Sequence, residues 1–149
     1  MLRPSETAQF PARQPITTFE DAERAAETLR AAWHLDDHPI ENLIGTIEDH
    51  GGIVVEWIEE TEAFNALSGW GNQSAPIIVI NRNVVPDRLR FNVAHELGHL
   101  CMGSSDMQDA DQEKLVNRFA AAFLAPLAVA RRELSPQRQH IDWLELGIL

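Results

Sequence analysis

The residues of this chain best suited to do chemistry are His95, Glu96 and His99, which form an H-E-x-x-H pattern. On a helix, residues four apart lie one above the other on the same face, so the two imidazoles can hold one zinc ion. With 3.6 residues per turn, Glu96 lies about 100° around the helix from His95 and about 60° from His99. Its carboxylate is placed to accept a proton from a water molecule at the metal. This is the arrangement found in zinc proteases.

The pattern requires a helix, and its flanks predict one. Pro86-Asp87 is typical of a helix start, and no further glycine or proline follows until Gly98. An apolar stripe recurs at helical spacing through Leu89, Val93, Leu97 and Leu100. We therefore favour a metal site over the alternative, a chance match in an amphipathic helix with a salt-bridged histidine pair.

A catalytic zinc site usually has three protein ligands and keeps a fourth position open. A third histidine six residues after His99 is absent, because residue 105 is a serine. The downstream candidates are Asp106, Asp109, Asp111, Glu113 and His140. We select Glu113, which lies one turn into a helix whose alanines allow close packing against the motif helix. Asp109 and Asp111 are interpreted as charges that complement the helix dipole.

Two further side chains near the motif can be assigned roles. Asn117, four residues after Glu113, can support a metal ligand by hydrogen bonding. Cys101 lies about 200° around the helix from His99, so it points away from the metal and is expected in the core. The remaining histidines lack ligand spacing: His34, His38, His50 and His140.

The first half of the chain predicts two helices and a small sheet. Residues 1–17 contain three prolines and are interpreted as a flexible lead-in or linker before a single domain over residues 18–149. The first helix is capped by Thr17 or Thr18, and the second begins at Pro39 and ends at Gly51-Gly52. Strands are predicted over residues 52–59 and 75–81, with a short strand over residues 66–68 between them.

The second half is predicted to be helical. After the motif helix, a further helix runs from Asp109 to Ala125, where Pro126 stops it. Two short helices are predicted over residues 127–134 and 141–146. The apolar run over residues 76–80 predicts a strand that is buried on both faces and borders the cleft, where an extended substrate could add to it. Trp70 or Asn72 could line the same cleft, although an ordinary loop role is favoured for both.

Composition narrows the classes of function. A net charge of −11 disfavours direct binding to nucleic acid, because such binding depends on Lys and Arg contacts to phosphates. The single cysteine excludes an intrachain disulfide and favours a reducing compartment. No secretory signal or membrane-length apolar segment stands out, so we expect a cytoplasmic protein without membrane association.

Together these segments resemble the ImmA/IrrE metallopeptidase family over most of residues 20–130. The resemblance rests on R-F-N-V-A-H-E-L-G-H at residues 90–99, E-K-L-V-N-R-F-A at residues 113–120, and F-L-A-P at residues 123–126. The chain departs from the family pattern at Val116, where alanine is usual. It also departs after the second motif histidine, where a further histidine is frequent and this chain reads L-C-M-G.

The resemblance implies a small zincin-like α+β metallopeptidase domain with N-terminal helices, a short mixed sheet and C-terminal helices. It implies one zinc ion held by His95, His99 and Glu113, with Glu96 as the catalytic carboxylate. Manganese and iron stay open as alternatives, because this ligand set suits several divalent ions. It also implies cleavage of a helix-turn-helix (Xre-like) repressor in stress or mobile-element regulation. The alternative is a metal-binding regulatory module that binds a transcription regulator without cutting it.

Overall fold

The computed structural model describes residues 10–58, 65–72, 75–103 and 107–126. The described residues form, in chain order, α1 (Phe19–Ala32), α2 (Leu43–Asp49), β1 (Ile53–Trp57), β2 (Ala66–Trp70), β3 (Pro76–Asn81), α3 (Pro86–Cys101) and α4 (Asp109–Leu124). The predicted α+β class is confirmed. The short helices predicted over residues 127–134 and 141–146 lie outside the described residues. Among the helices just named, none is long and apolar enough to cross a membrane.

The three strands form one mixed sheet in the order β1-β3-β2. β1 runs parallel to β3, and β2 runs antiparallel to it, so that Val54 and Ser68 both lie opposite Ile78. The short strand predicted over residues 66–68 is confirmed and extends to Trp70. β3 is the central strand, and both of its edges are already paired. The prediction that a substrate adds to residues 76–80 is therefore wrong, because no backbone edge is left free there.

The two faces of the sheet differ in burial. On the inner face, Ile78 and Ile80 of β3 are fully buried. On the outer face, Val79 is only half-buried, and its two register partners, Val55 and Leu67, are 41% and 57% exposed. The burial of β3 predicted for both faces is therefore complete on the inner face alone. The outer face of the sheet is therefore apolar and more exposed than the inner face.

The main core lies between the inner face of the sheet and the helices. α4 packs against both α1 and α3, and α3 also packs against β2 and β3. Phe119 and Phe123 of α4 are fully buried and stack on each other, with ring centroids 5.8 Å apart. Burial of each such side chain contributes about 1.5–3 kcal/mol to folding. This packing fixes α4 beside α3.

The start of α1 confirms the predicted cap. The Thr18 hydroxyl accepts a hydrogen bond from the Asp21 backbone N–H at 3.1 Å, and the Asp21 carboxylate accepts one from the Thr18 N–H at 3.2 Å. This reciprocal pair is a capping box. Hydrogen bonds from Thr17 and Thr18 lower the pKa of Asp21. The cap fixes where α1 begins.

The start of α2 differs from the prediction. The helix begins at Leu43 and not at Pro39, with Asn42 as its N-cap. The Asn42 side-chain oxygen accepts a hydrogen bond from the Gly45 N–H at 2.9 Å. A capping asparagine beside the first apolar residue therefore sets the boundary, in place of the proline four residues earlier.

Arg30 explains why the loop before α2 is not helical. The residue is 3% exposed, and its guanidinium donates to the backbone oxygens of Asp36 at 2.9 and 3.1 Å and of His38 at 2.5 Å. It also donates to the Phe123 backbone oxygen at 2.6 Å, near the end of α4. Burial lowers the pKa of this guanidinium, but an arginine keeps its charge. Arg30 thus ties α1, the loop and α4 together.

Residues 10–17 contact the domain more closely than their prolines indicate. Ile16 is 1% exposed, and the Gln14 backbone oxygen accepts a hydrogen bond from the Gly103 N–H at 2.8 Å. The Phe10 ring packs edge-on against Trp33 and Trp70. The division of the chain into residues 1–17 and 18–149 stays a prediction.

Candidate metal centre

α3 presents the three motif side chains on its half-exposed face, as its sequence predicts. The opposite face is buried through Val93, Leu97 and Leu100. The His95 and His99 rings lie one turn apart, with centroids separated by 4.9 Å. Their side chains are 18% and 27% exposed, which leaves both imidazoles accessible from one side.

Gly98 allows α4 to approach α3 closely. A Cβ atom at this position would lie 2.9 Å from Cδ1 of Phe119 and 3.1 Å from Cγ1 of Val116, closer than packed carbon atoms normally come. Any larger residue would push the two helices apart. The glycine of the motif therefore sets the distance between the motif histidines and α4.

Glu113 of α4 lies between the two imidazoles. Its Oε2 atom is 2.9 Å from His95 Nε2, and its Oε1 atom is 2.9 Å from His99 Nε2. The three groups place one donor atom each within 4.8 Å of the others. Donors around a tetrahedral zinc, each roughly 2.0–2.1 Å from the metal, lie roughly 3.3 Å apart. Two nitrogens and a carboxylate at this spacing fit a divalent metal ion.

The hydrogen bond from His95 to Asn117 fixes which ring nitrogen is available. His95 Nδ1 lies 2.8 Å from the Asn117 side-chain oxygen. An amide oxygen only accepts hydrogen bonds, so we assign the proton to Nδ1, which leaves Nε2 as the nitrogen that would bind a metal ion shared with Glu113. Partners of this kind orient metal-binding histidines. Asn117 therefore takes the supporting role that its position in the sequence predicts.

Glu96 faces a cleft beside these groups and is bound by a residue that the sequence analysis missed. The Ser68 hydroxyl of β2 donates a hydrogen bond to Glu96 Oε2 at 2.5 Å. The cleft has a volume of about 290 Å³, and α3, α4 and the start of β2 line it. A serine in a short strand 28 residues before Glu96 carries no local signal of this contact.

Asn92 also lines this cleft, one helical turn before Glu96. Its side-chain nitrogen is buried and has no hydrogen-bond partner among the described residues. A buried donor without a partner costs about 1–3 kcal/mol. Such a group at the edge of a cleft indicates a position that a bound molecule could satisfy.

The other candidate ligands do not join the cluster. Asp109 and Asp111 lie in the first turn of α4, where they complement the helix dipole. Cys101 is 7% exposed, and burial raises the pKa of its thiol to about 12. A thiol binds metal as the thiolate, so Cys101 is unsuited as a ligand and fits its predicted core position. Asp106 and His140 lie outside the described residues.

The predicted roles of Trp70 and Asn72 in the cleft are not supported, since neither residue lines it. The Trp70 indole N–H donates to the Leu100 backbone oxygen at 3.2 Å, which ties β2 to the end of α3. β2 borders the cleft in place of β3, because β2 is the edge strand that packs against α3.

A comparison with known protein families matches the part of the chain that contains this site. Residues 52–147 match the Peptidase M78 family, described as the IrrE N-terminal-like domain. The match begins just before β1 and includes the sheet, α3, α4 and every residue of the metal cluster. No curated protein matches the chain.

Proposed function

Because the chain belongs to the Peptidase M78 (IrrE N-terminal-like) family, we propose that it is a zinc-dependent endopeptidase of restricted specificity. Its proposed substrate is a helix-turn-helix (Xre-like) repressor in stress or mobile-element regulation. One observation carries the proposal: His95, His99 and Glu113 converge from two helices beside the cleft that contains Glu96. The net charge of −11 supports a protein substrate over direct contact with DNA.

In the proposed mechanism, the two histidines and Glu113 hold the metal while Glu96 transfers protons. When bound, zinc polarises the scissile carbonyl and lowers the pKa of water to about 7. Glu96 takes a proton from the attacking water and delivers it to the leaving amine. Asn117 holds the His95 ring in the orientation that presents Nε2. The half-exposed cleft leaves one side open for a peptide.

The edge strand β2 supplies the proposed docking position for the peptide. One edge of β2 pairs with β3, and no strand among the described residues pairs with its other edge. Ala66 at the start of this strand, and Asn65 just before it, line the cleft. An extended substrate segment that adds to this edge would pass Glu96, with main-chain hydrogen bonds supplying affinity.

The test combines metal content with cleavage. Purified wild type is expected to hold about one zinc per chain and to cut a purified Xre-like repressor, with cleavage stopped by a chelator. His95→Ala should lose both zinc and cleavage, whereas Glu96→Gln should keep zinc and lose cleavage. A wild type that takes up no zinc from solution would refute the proposed enzyme function. A Glu96→Gln variant that still cuts the repressor would refute the catalytic role of Glu96.

A second candidate function is favoured by the outer face of the sheet. Val55, Trp57 and Leu67 are 41%, 53% and 57% exposed, which gives an apolar surface suited to a protein partner. On this alternative the chain is a metal-binding regulatory module that binds a transcription regulator without cutting it. Prolonged incubation separates the two functions. An enzyme turns over many repressor molecules per chain, whereas a binding module leaves the repressor intact and bound.

A further inference from the structure

β2 lies along α3 in a register set by two side-chain hydrogen bonds. Ser68 donates to the Glu96 carboxylate at 2.5 Å, and Trp70 donates to the Leu100 backbone oxygen at 3.2 Å. Two residues along a strand span about 6.6–6.8 Å, and four residues along a helix rise about 6.0 Å. The two spacings match closely, so both bonds form side by side. They fix the strand along the helix.

The Ser68 hydroxyl is the one hydrogen-bond partner of the Glu96 side chain among the described residues. A glutamate side chain without partners samples several rotamers, and fixing it in one of them costs conformational entropy. A serine hydroxyl donates a single hydrogen. The bond therefore engages Oε2 of Glu96 and leaves its other carboxylate oxygen available.

We propose that Ser68 is a positioning residue for Glu96, so that β2 both receives the substrate backbone and orients the general base. The inference rests on the proposed function, because it gives Glu96 the role of base and the β2 edge the role of substrate platform. The part that does not depend on the proposed function is that the Ser68 hydroxyl holds the Glu96 carboxylate in the cleft. A substrate segment that adds to β2 is then aligned with the base by one strand.

Trp70 provides the matched comparison for this role. Like Ser68, it projects from β2 towards α3 and donates one hydrogen bond to that helix. Its acceptor is a backbone oxygen at Leu100, one helical turn beyond Glu96. Removal of either donor weakens the docking of the strand, but only removal of the Ser68 hydroxyl releases the carboxylate. Comparison of variants at Ser68 and Trp70 thus distinguishes a role in positioning Glu96 from a role in holding the strand on the helix.

The first readout is kinetic and uses the purified Xre-like repressor as the substrate, with Ser68→Ala, Ser68→Thr and Trp70→Phe. Ser68→Ala is expected to lower kcat by about 10–100-fold, part of the roughly 10²–10⁴-fold that a positioned general base contributes. KM and zinc content should stay within twofold of wild type. Ser68→Thr, which keeps the hydroxyl, should restore most of kcat. An Ala variant with unchanged kcat, or a loss that Trp70→Phe reproduces, would overturn the inference.

The second readout needs no cleavage and is made on crystals of the metal-free proteins. The Glu96 carboxylate is expected in its wild-type position in Ser68→Thr and Trp70→Phe, and displaced or spread over several rotamers in Ser68→Ala. An unmoved, well-ordered Glu96 in Ser68→Ala would overturn the positioning role. If the wild type cuts no repressor, the proposed function fails, and this comparison still decides whether Ser68 holds Glu96.

Discussion

α4 carries a polar cluster towards each end, and the two clusters satisfy their hydrogen bonds differently. Near its C-terminal end, the Arg30 guanidinium binds the Phe123 backbone oxygen and two loop carbonyls, and its side chain is almost fully buried. Near its N-terminal end, Glu113 is 51% exposed and lies against two imidazole nitrogens. The first cluster is closed to solvent, and the second opens into a cleft.

The difference separates polar groups that hold the fold from polar groups that are available for chemistry. Arg30 gives all its bonds to backbone oxygens, among them the buried oxygen of Phe123, which is a structural role. In the open cluster, Asn117 binds one nitrogen of His95, and the other nitrogen lies beside Glu113, where the two could share a metal ion. Groups whose remaining capacity points into a cleft are suited to bind a ligand. We therefore expect mutations at the two ends of α4 to affect different properties.

The largest effect is expected for zinc affinity in Glu113→Ala. Loss of a direct ligand should weaken zinc binding well beyond the roughly 10–100-fold that loss of an outer partner costs. The Tm of the metal-free protein should change little, because the Glu113 side chain is half-exposed. Competition with a chromogenic chelator measures the affinity. Asp111→Ala removes a carboxylate from the same helix and is the control; equal zinc affinity in the two variants would exclude Glu113 as a ligand.

At the closed cluster we expect the opposite: a large loss of stability and little change in zinc affinity. Arg30→Ala removes a buried side chain and its bonds to the Phe123 oxygen and two loop oxygens, and should lower the free energy of unfolding by about 3–4 kcal/mol. Zinc affinity of the folded fraction should stay near wild type. Urea denaturation of the metal-free protein measures the loss. The control is Arg118→Ala, because Arg118 is 46% exposed and pairs with Glu23, for which about 0.5 kcal/mol is expected. Equal losses in both variants would contradict the structural role of Arg30.

A smaller loss of zinc affinity is expected when Asn117, the hydrogen-bond partner of His95, is changed. Asn117→Ala removes the acceptor at Nδ1 and should weaken zinc binding by about 10–100-fold. Asn117→Asp keeps an acceptor oxygen in place and should retain the affinity. Calorimetric titration with zinc distinguishes the two variants. If Asn117→Asp binds zinc as weakly as Asn117→Ala does, the hydrogen bond to His95 is not what orients the ring.

The open cluster could be predicted from the sequence because each of its signals is local. His95 and His99 are fixed by helical periodicity, and Glu113 and Asn117 repeat that spacing on the next helix. Their approach was predicted from the small residues of α4. Gly98 adds a second reason, since its missing Cβ is what allows the contact.

The contact of Arg30 with α4 and the contact of Ser68 with Glu96 could not be predicted, because both join residues far apart in sequence. Arg30 reaches a backbone oxygen 93 residues away, and backbone acceptors leave no mark on the residue type that supplies them. Ser68 contacts Glu96 only because β2 occupies the sheet edge over α3, and strand order is a tertiary property. The error at Pro39 has a local cause, because the Asn42 cap, and not the proline, sets the start of α2.

The smallest expected effect is on stability, and it tests whether Asn92, in the cleft beside the open cluster, serves binding or the fold. Asn92→Leu removes a buried nitrogen that lacks a partner among the described residues, so the metal-free protein should be stabilised by about 1 kcal/mol in urea denaturation. Zinc affinity should not change, since Asn92 is outside the metal cluster. If the amide binds the substrate, KM for the repressor rises although the fold is more stable. A less stable variant with unchanged KM would place Asn92 with the structural groups, beside Arg30.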